Sequence, residues 1–221
     1  MKKLFKSDAL DRIREPETDV SLASSIVSSI LVAVFGIVVG AVAQTFEYFA
    51  ANSSVWWQDI VKDLQLNVVF EKFPFWFMLG LTVAVSSSRP LKAAINEFVF
   101  FVGVIVGFNI VPIVFSAAQR PDNMMTWIIA AVVSAPLAMI FWYAKSSSWP
   151  SIAFCAVIIG VLGAYCFDCG FLYFHFNDLI MDLINAVILV LSVVALSSGV
   201  IQVLIMIAGG ILITLALGPV L

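Results

Sequence analysis

LASSIVSSILVAVFGIVVGAVAQ, residues Leu22 to Gln44, decides the fold. It carries no charged side chain, and it exceeds the roughly 20 apolar residues that cross a hydrocarbon core at 1.5 Å per residue. Gly36 and Gly40 lie four apart within it. That small-xxx-small spacing lets two helix backbones approach closely, and we expect the contact to be made inside one subunit rather than at a dimer seam. The stretch is no cleavable signal: it lacks a short apolar region followed by a cleavage-type site. It reads as a retained span.

Outward from this stretch the same composition recurs to the end of the chain. Hydrophobic residues make up 62% of the 221 and charged residues only 11%, against about 25% charged in an average soluble domain. Upstream, residues 1–20 form a polar tail of mixed charge, in which Leu4, Phe5, Leu10 and Ile13 suit loose interfacial contact. Residues 21–221 form one transmembrane helical domain. Downstream, residues 45–72 alternate at helical spacing: Trp56, Trp57, Ile60, Val61 and Leu64 on one side, and Gln58, Asp59, Lys62 and Asp63 on the other. Asn52, Ser53 and Ser54 offer capping oxygens. This predicts one amphipathic helix lying in the interface, with its tryptophans at headgroup level.

Further spans are expected at about Phe73–Ser87, from just after Arg89-Pro90-Leu91-Lys92 to Ser116, Met124–Ala144, Pro150–Phe167, Leu179–Leu196 and Val200 to the end. The fold class is therefore an all-α polytopic bundle of about seven spans plus the interfacial helix. Six crossings also fit, if the last two segments form a re-entrant pair. Lysine and arginine bias sets the orientation. With the N-terminus inside, Lys2, Lys3, Lys6, Arg12, Arg14, Arg89, Lys92 and Lys145 fall on one side, and Lys62, Lys72 and Arg120 on the other. Eight against three places the N-terminus in the cytoplasm.

Phe75-Trp76-Phe77-Met78-Leu79-Gly80, Ser88-Arg89-Pro90-Leu91-Lys92-Ala93-Ala94-Ile95-Asn96, Ser134-Ala135-Pro136-Leu137-Ala138 and Trp142-Tyr143-Ala144-Lys145 form one familiar set. Over residues 74–146 the chain resembles a group of small bacterial polytopic membrane proteins with no assigned activity. The resemblance implies a bacterial cytoplasmic membrane and a multispan fold, and no reaction.

Glu97 is the foremost site candidate, because an ionisable group at membrane depth is by default a functional hypothesis. Its position one turn past Lys92 predicts an interfacial carboxylate paired with Arg89 or Lys92. The alternative is a pathway residue that binds a cation or relays a proton. Asn109 and Pro112 lie further along the same span, and Pro136 interrupts the next. A proline frees a backbone carbonyl, and such carbonyls can line a polar site.

A second polar cluster lies between the fifth and sixth spans: Asp168, His175, Asp178 and Asp182, with Asn185 one turn deeper. His175 and Asp178 are weak metal-ligand candidates. The expectation is instead that each group stays solvated, with the histidine packed on Tyr173 or Phe174. Cys166 and Cys169 form a CxxC, read as a weak disulfide or two free thiols, and Cys155 as a small core residue. No phosphate loop, HExxH or GxSxG motif occurs, and no cofactor is expected. The partners expected are the bilayer and further membrane subunits or a second copy; a net charge of −3 argues against nucleic acid. The leading function is a small transport-type protein or the membrane subunit of an assembly. A membrane enzyme acting on lipid or envelope substrates, and a non-catalytic scaffold or immunity protein, are the alternatives.

Overall fold

A computed structural model describes residues 13–17, 21–51, 56–114, 124–146, 148–170, 173–175 and 178–218. In chain order these form α1 (Leu22–Ala51), α2 (Trp56–Asp63), α3 (Leu66–Glu71), α4 (Phe73–Ser86), α5 (Pro90–Val114), α6 (Met124–Ala144) and α7 (Trp149–Cys166). There follow β1 (Asp168–Gly170), β2 (Tyr173–His175), α8 (Leu179–Leu196) and α9 (Val200–Leu217). Six of the helices, α1 and α5 to α9, are long and apolar enough to cross a membrane. This is the architecture of an all-α, multi-pass membrane protein.

The last two segments, for which a re-entrant pair was the alternative to two spans, are two helices of 18 residues each, α8 and α9; the short element is α4, with 14. The packing shows what α4 does. Ser25 and Ser29 of α1 meet Lys92 and Asn96 of α5, and further along Gly40 lies on Val104 and Gly107 on Ile37. The contacts climb both helices together, so α1 and α5 run parallel. The chain must therefore return between them, and α4 makes that return, antiparallel to α5, with Trp76 near Phe108 and Ser87 near Asn96. At about 21 Å it falls short of the roughly 30 Å hydrocarbon core, which the turns at either end help to bridge.

A second parallel pair, α7 and α9, closes the other side of the bundle. Gly160 and Gly163 face Ile213 and Thr214, Gly210 faces Ile159, and the Thr214 hydroxyl donates to the Gly160 carbonyl at 3.0 Å. Between the two pairs stands α4. One side carries Trp76, against Phe100 and Phe108 of α5; the other carries Leu81 and Val85, in a cluster with Ile158 of α7 and Leu196 of α8. Apolar residues all round a helix are what a position at the centre of a bundle requires.

One end of the bundle holds Arg14, Arg89, Lys92 and Lys145, and the opposite end Lys62 and Lys72. At the basic end the described part of the N-terminal tail is not loose. Ser146 donates to the Ile13 carbonyl, the Glu17 N–H to Ser88 O at 3.1 Å, and Arg89 Nε to Glu17 O at 2.8 Å. Segment 13–17 is thereby strapped across the ends of α4 and α6.

Three further expectations need correction. The first span runs on to Ala51, and the single interfacial helix is two short ones, broken where Gln65 adopts a left-handed φ of 51°. In α2 the buried face holds Gln58 and Val61, while Trp56 and Ile60, and Leu64 just past its end, are exposed. The side that meets α1 and α3 is thus rotated from the apolar stripe, because in lipid an exposed apolar face costs nothing. The caps expected at Asn52, Ser53 and Ser54 lie outside the described residues. The aromatic loop between α7 and α8 is a two-stranded antiparallel hairpin, with Asp168 opposite His175 and Cys169 opposite Phe174.

Candidate functional site

Glu97 is not interfacial. Its side chain is 4% exposed, and Oε2 is buried with no hydrogen-bond partner. Neither expected base reaches it. Lys92 Nζ turns to α1, where it donates to the carbonyl and hydroxyl of Ser25 and to Ser29 Oγ at 3.2 Å; Arg89 turns to the Glu17 carbonyl. The adjacent Asn96 is buried too, but it joins a network: Ser29 Oγ donates to Asn96 Oδ1 at 2.7 Å, and Asn96 Nδ2 donates to Ser87 Oγ at 3.0 Å. The side chains at 96 and 97 diverge, one toward α1 and the α4–α5 turn, the other under α4.

Room for the carboxyl comes from Gly80. A Cβ at that position would run into Glu97 Oε1, so a glycine on α4 leaves the seat that the carboxyl on α5 fills. From this seat a cleft of about 350 Å³ extends between α4, α5 and α6. It reaches Glu71 and Thr126, both exposed, at the end opposite the basic one. Trp76 and Phe77 of α4, Phe101 of α5 and Trp127 and Phe141 of α6 line it. Trp76 and Trp127 meet edge to face with ring centroids 4.8 Å apart, and Phe77 and Phe141 at 5.4 Å. Pro136 sits inside α6 beside the lining residues Ser134 and Leu137; having no N–H, it gives the Val132 carbonyl no helical partner.

The sequence candidates do not gather here. Asn109 donates from Nδ2 to the Ile105 carbonyl of its own helix at 2.8 Å and does not line the cleft. Asp182 and Asn185 line a separate polar pocket of about 500 Å³ at the end opposite the basic one, with Gln65, Lys72, Asp168 and Asp178. Asn185 Nδ2 donates to the Cys166 carbonyl at 2.7 Å, while Asp182 Oδ2 is buried without a partner. His175 stands outside this pocket, exposed on β2, with its ring 6.0 Å from that of Tyr173. Among the described residues no three His, Cys, Asp or Glu side chains converge as a metal site would need. Cys155, Cys166 and Cys169 are free thiols, all buried. Burial pushes the Cys169 thiol up from its ordinary range, and Asp168 adds to the shift.

Asp178 has a local job. It caps α8, accepting from Ile180 N at 2.9 Å and Met181 N at 3.4 Å, and it accepts from Gln65 Nε2 as well. The two backbone donors, with Gln65, hold its carboxyl below the usual carboxylate range. A depressed folded value means that this stabilisation is complete above the ordinary carboxylate pKa of about 4 and is lost as pH falls through the folded value. We expect Asp178→Ala to lower the thermal midpoint at neutral pH and to flatten its fall on acidification. Asp178→Asn, still a good cap, should keep most of the neutral-pH midpoint. Thermal melts in detergent micelles between pH 7 and pH 3 check this, and an unchanged midpoint for the alanine variant would remove the capping role.

Sequence reasoning missed Gly80 and Arg14. Gly80 had a legible signal, a glycine inside an apolar span; Arg14, one base among several in a polar tail, had none.

No family model, no curated protein and no solved structure matches the chain.

Proposed function

We propose that this chain is a small transport-type protein of the bacterial cytoplasmic membrane, with its N-terminus inside, and that its pathway is the cleft between α4, α5 and α6. The observation that carries the reading is the buried carboxyl of Glu97, its Oε2 unpartnered, at the inner end of an aromatic cleft. Burying a carboxyl without a counter-charge is costly, and structural acids are normally paired; one left open toward a cavity suits a transient partner. The lysine and arginine bias puts the basic end in the cytoplasm. The cleft then opens outward near Glu71 and Thr126, and toward the basic end the Trp142 indole donates to Ser87 O at 2.6 Å and stacks on Arg14. The enzyme alternative needs His175 beside two carboxylates, whereas His175 lies outside the pocket that Asp178 and Asp182 line.

Cysteine labelling in a background free of native cysteines tests this. In intact cells an impermeant thiol reagent should modify Ser134→Cys, on the cleft wall, and spare both Val132→Cys, on the exposed lipid side of α6, and Ser88→Cys at the basic end. An unreactive Ser134→Cys would favour a scaffold, and a reactive Ser88→Cys would reverse the orientation.

A further inference from the structure

Among the described residues lining the cleft, the charged side chains are Glu71 at its mouth and Glu97 at its inner end, both acidic, with no base beside them. Its walls are aromatic rings, whose faces carry partial negative charge and attract cations. We propose that the cleft binds a small organic cation, an ammonium bearing an apolar group, with the charge on Glu97 and the apolar part against Trp76 and Trp127. This rests on the reading of the cleft as the pathway and names what enters it.

Other ligand classes fit less well. An anion would face two acids and the negative faces of the rings. A neutral apolar molecule would leave Glu97 Oε2 buried and unsatisfied. A bare metal cation needs about six oxygen ligands around one point. The cleft's other side-chain oxygens belong to Glu71, Thr126 and Ser134, strung along its length, and Ser134 is turned to the Ala131 carbonyl at 3.2 Å. A proton alone would need no such cleft, and about 350 Å³ falls in the lower part of the roughly 300–1,000 Å³ range of small-molecule sites.

The probe is benzyltrimethylammonium, with neopentylbenzene as its uncharged isostere, titrated into the purified full chain in detergent micelles. Binding is read by calorimetry and by the fluorescence of Trp76 and Trp127. We expect saturable binding of the ammonium and none of the isostere. Glu97→Gln should weaken it by about 10- to 100-fold, the worth of one charge-assisted contact. Trp127→Leu should weaken it by about 2- to 10-fold through the lost ring-to-ring contact with the benzyl group. Glu97→Gln keeps the shape and removes the lone carboxyl, so its thermal midpoint should equal or exceed that of the wild type, which separates lost binding from lost folding. The ammonium should also slow modification of Ser134→Cys. Equal affinity for ammonium and isostere, or for Glu97 and its glutamine variant, overturns the inference. A reactive Ser134→Cys that the ammonium does not protect overturns it while leaving the pathway reading intact; an unreactive Ser134→Cys with no ammonium binding overturns both.

Discussion

Gly107→Val should leave no correctly assembled protein. A Cβ on Gly107 would run into the Ile37 carbonyl of α1 and come within 2.6 Å of the Ala41 amide nitrogen and 3.0 Å of the Gly40 carbonyl carbon. These are backbone atoms of a helix, so no rotamer change relieves the clash and the two helices must separate. Separation also opens the neighbouring contacts, since Gly36 and Gly40 sit against the Phe100 and Val104 carbonyls, and Gly103 against the Ala33 carbonyl. In lipid an apolar helix face gains little by leaving the solvent, so close packing and the weak Cα–H···O contacts that accompany it hold such a pair together. Overpacking costs about 1–3 kcal/mol at an adaptable site, and this site cannot adapt. We expect Gly107→Ala to lower the thermal midpoint clearly and Gly107→Val to abolish the monodisperse peak on size exclusion after detergent extraction. Gly199→Val is the control: a Cβ there meets nothing within 4 Å and the backbone is extended, so the change should stay within about 0.5 kcal/mol. A Gly107→Val protein that extracts and melts like the wild type would show that α1 and α5 are not packed backbone to backbone.

What could be read in advance was the axial direction. Length and apolarity determine where a span starts and stops, and α6 and α8 begin and end where the sequence places them, Met124–Ala144 and Leu179–Leu196. The lateral direction was nearly silent. In water the apolar stripe of a helix points at the core, but in lipid the outward face is equally apolar, so periodicity no longer says which side packs. Glu97 shows the consequence. Its place within the span was legible; its burial and its facing were not, so an interfacial partner on its own helix looked reasonable when the side chain in fact lies under α4. Lateral signals survived where a residue type makes sense only against a neighbour. Gly36 and Gly40 were such a signal, and the expectation that they pack within one subunit agrees with the α5 backbone that covers them. Gly80 carried the same kind of information about Glu97. Asp182 and Asn185 were correctly placed near one another, since one turn of a single helix separates them; nothing local could show that Glu97 lies in a different cleft.

Arg14→Ala should cost on the order of 2–4 kcal/mol of stability, unusual for a residue in a polar tail. Its guanidinium donates through Nη1 to the Trp142 carbonyl at 2.8 Å and through Nη2 to the Val85 carbonyl at 3.1 Å. Both acceptors belong to the last turns of their helices, α6 and α4, where carbonyls have no intrahelical partner and where a cation also complements the helix dipole. The guanidinium carbon lies 4.2 Å from the centre of the Trp142 ring, so one side chain caps two helices and stacks on an aromatic ring. A hydrogen bond to a charged group contributes about 1.5–3 kcal/mol, and partial access to water at the bundle end keeps the pair in the lower part of that range. Arg14→Lys should recover little, since a single ammonium cannot span both carbonyls as a planar fork does. The same contacts lie at the basic end of the bundle, opposite the mouth of the proposed pathway. If they close it, Arg14→Ala should let an impermeant thiol reagent reach Ser134→Cys in inside-out vesicles, where the otherwise wild-type chain is protected. Thermal melts and this labelling are independent measurements. A lysine variant as stable as the wild type would rule out the two-carbonyl cap, and an alanine variant that is destabilised yet still protected would leave the cap but move the closure elsewhere, to Trp142 and Ser87.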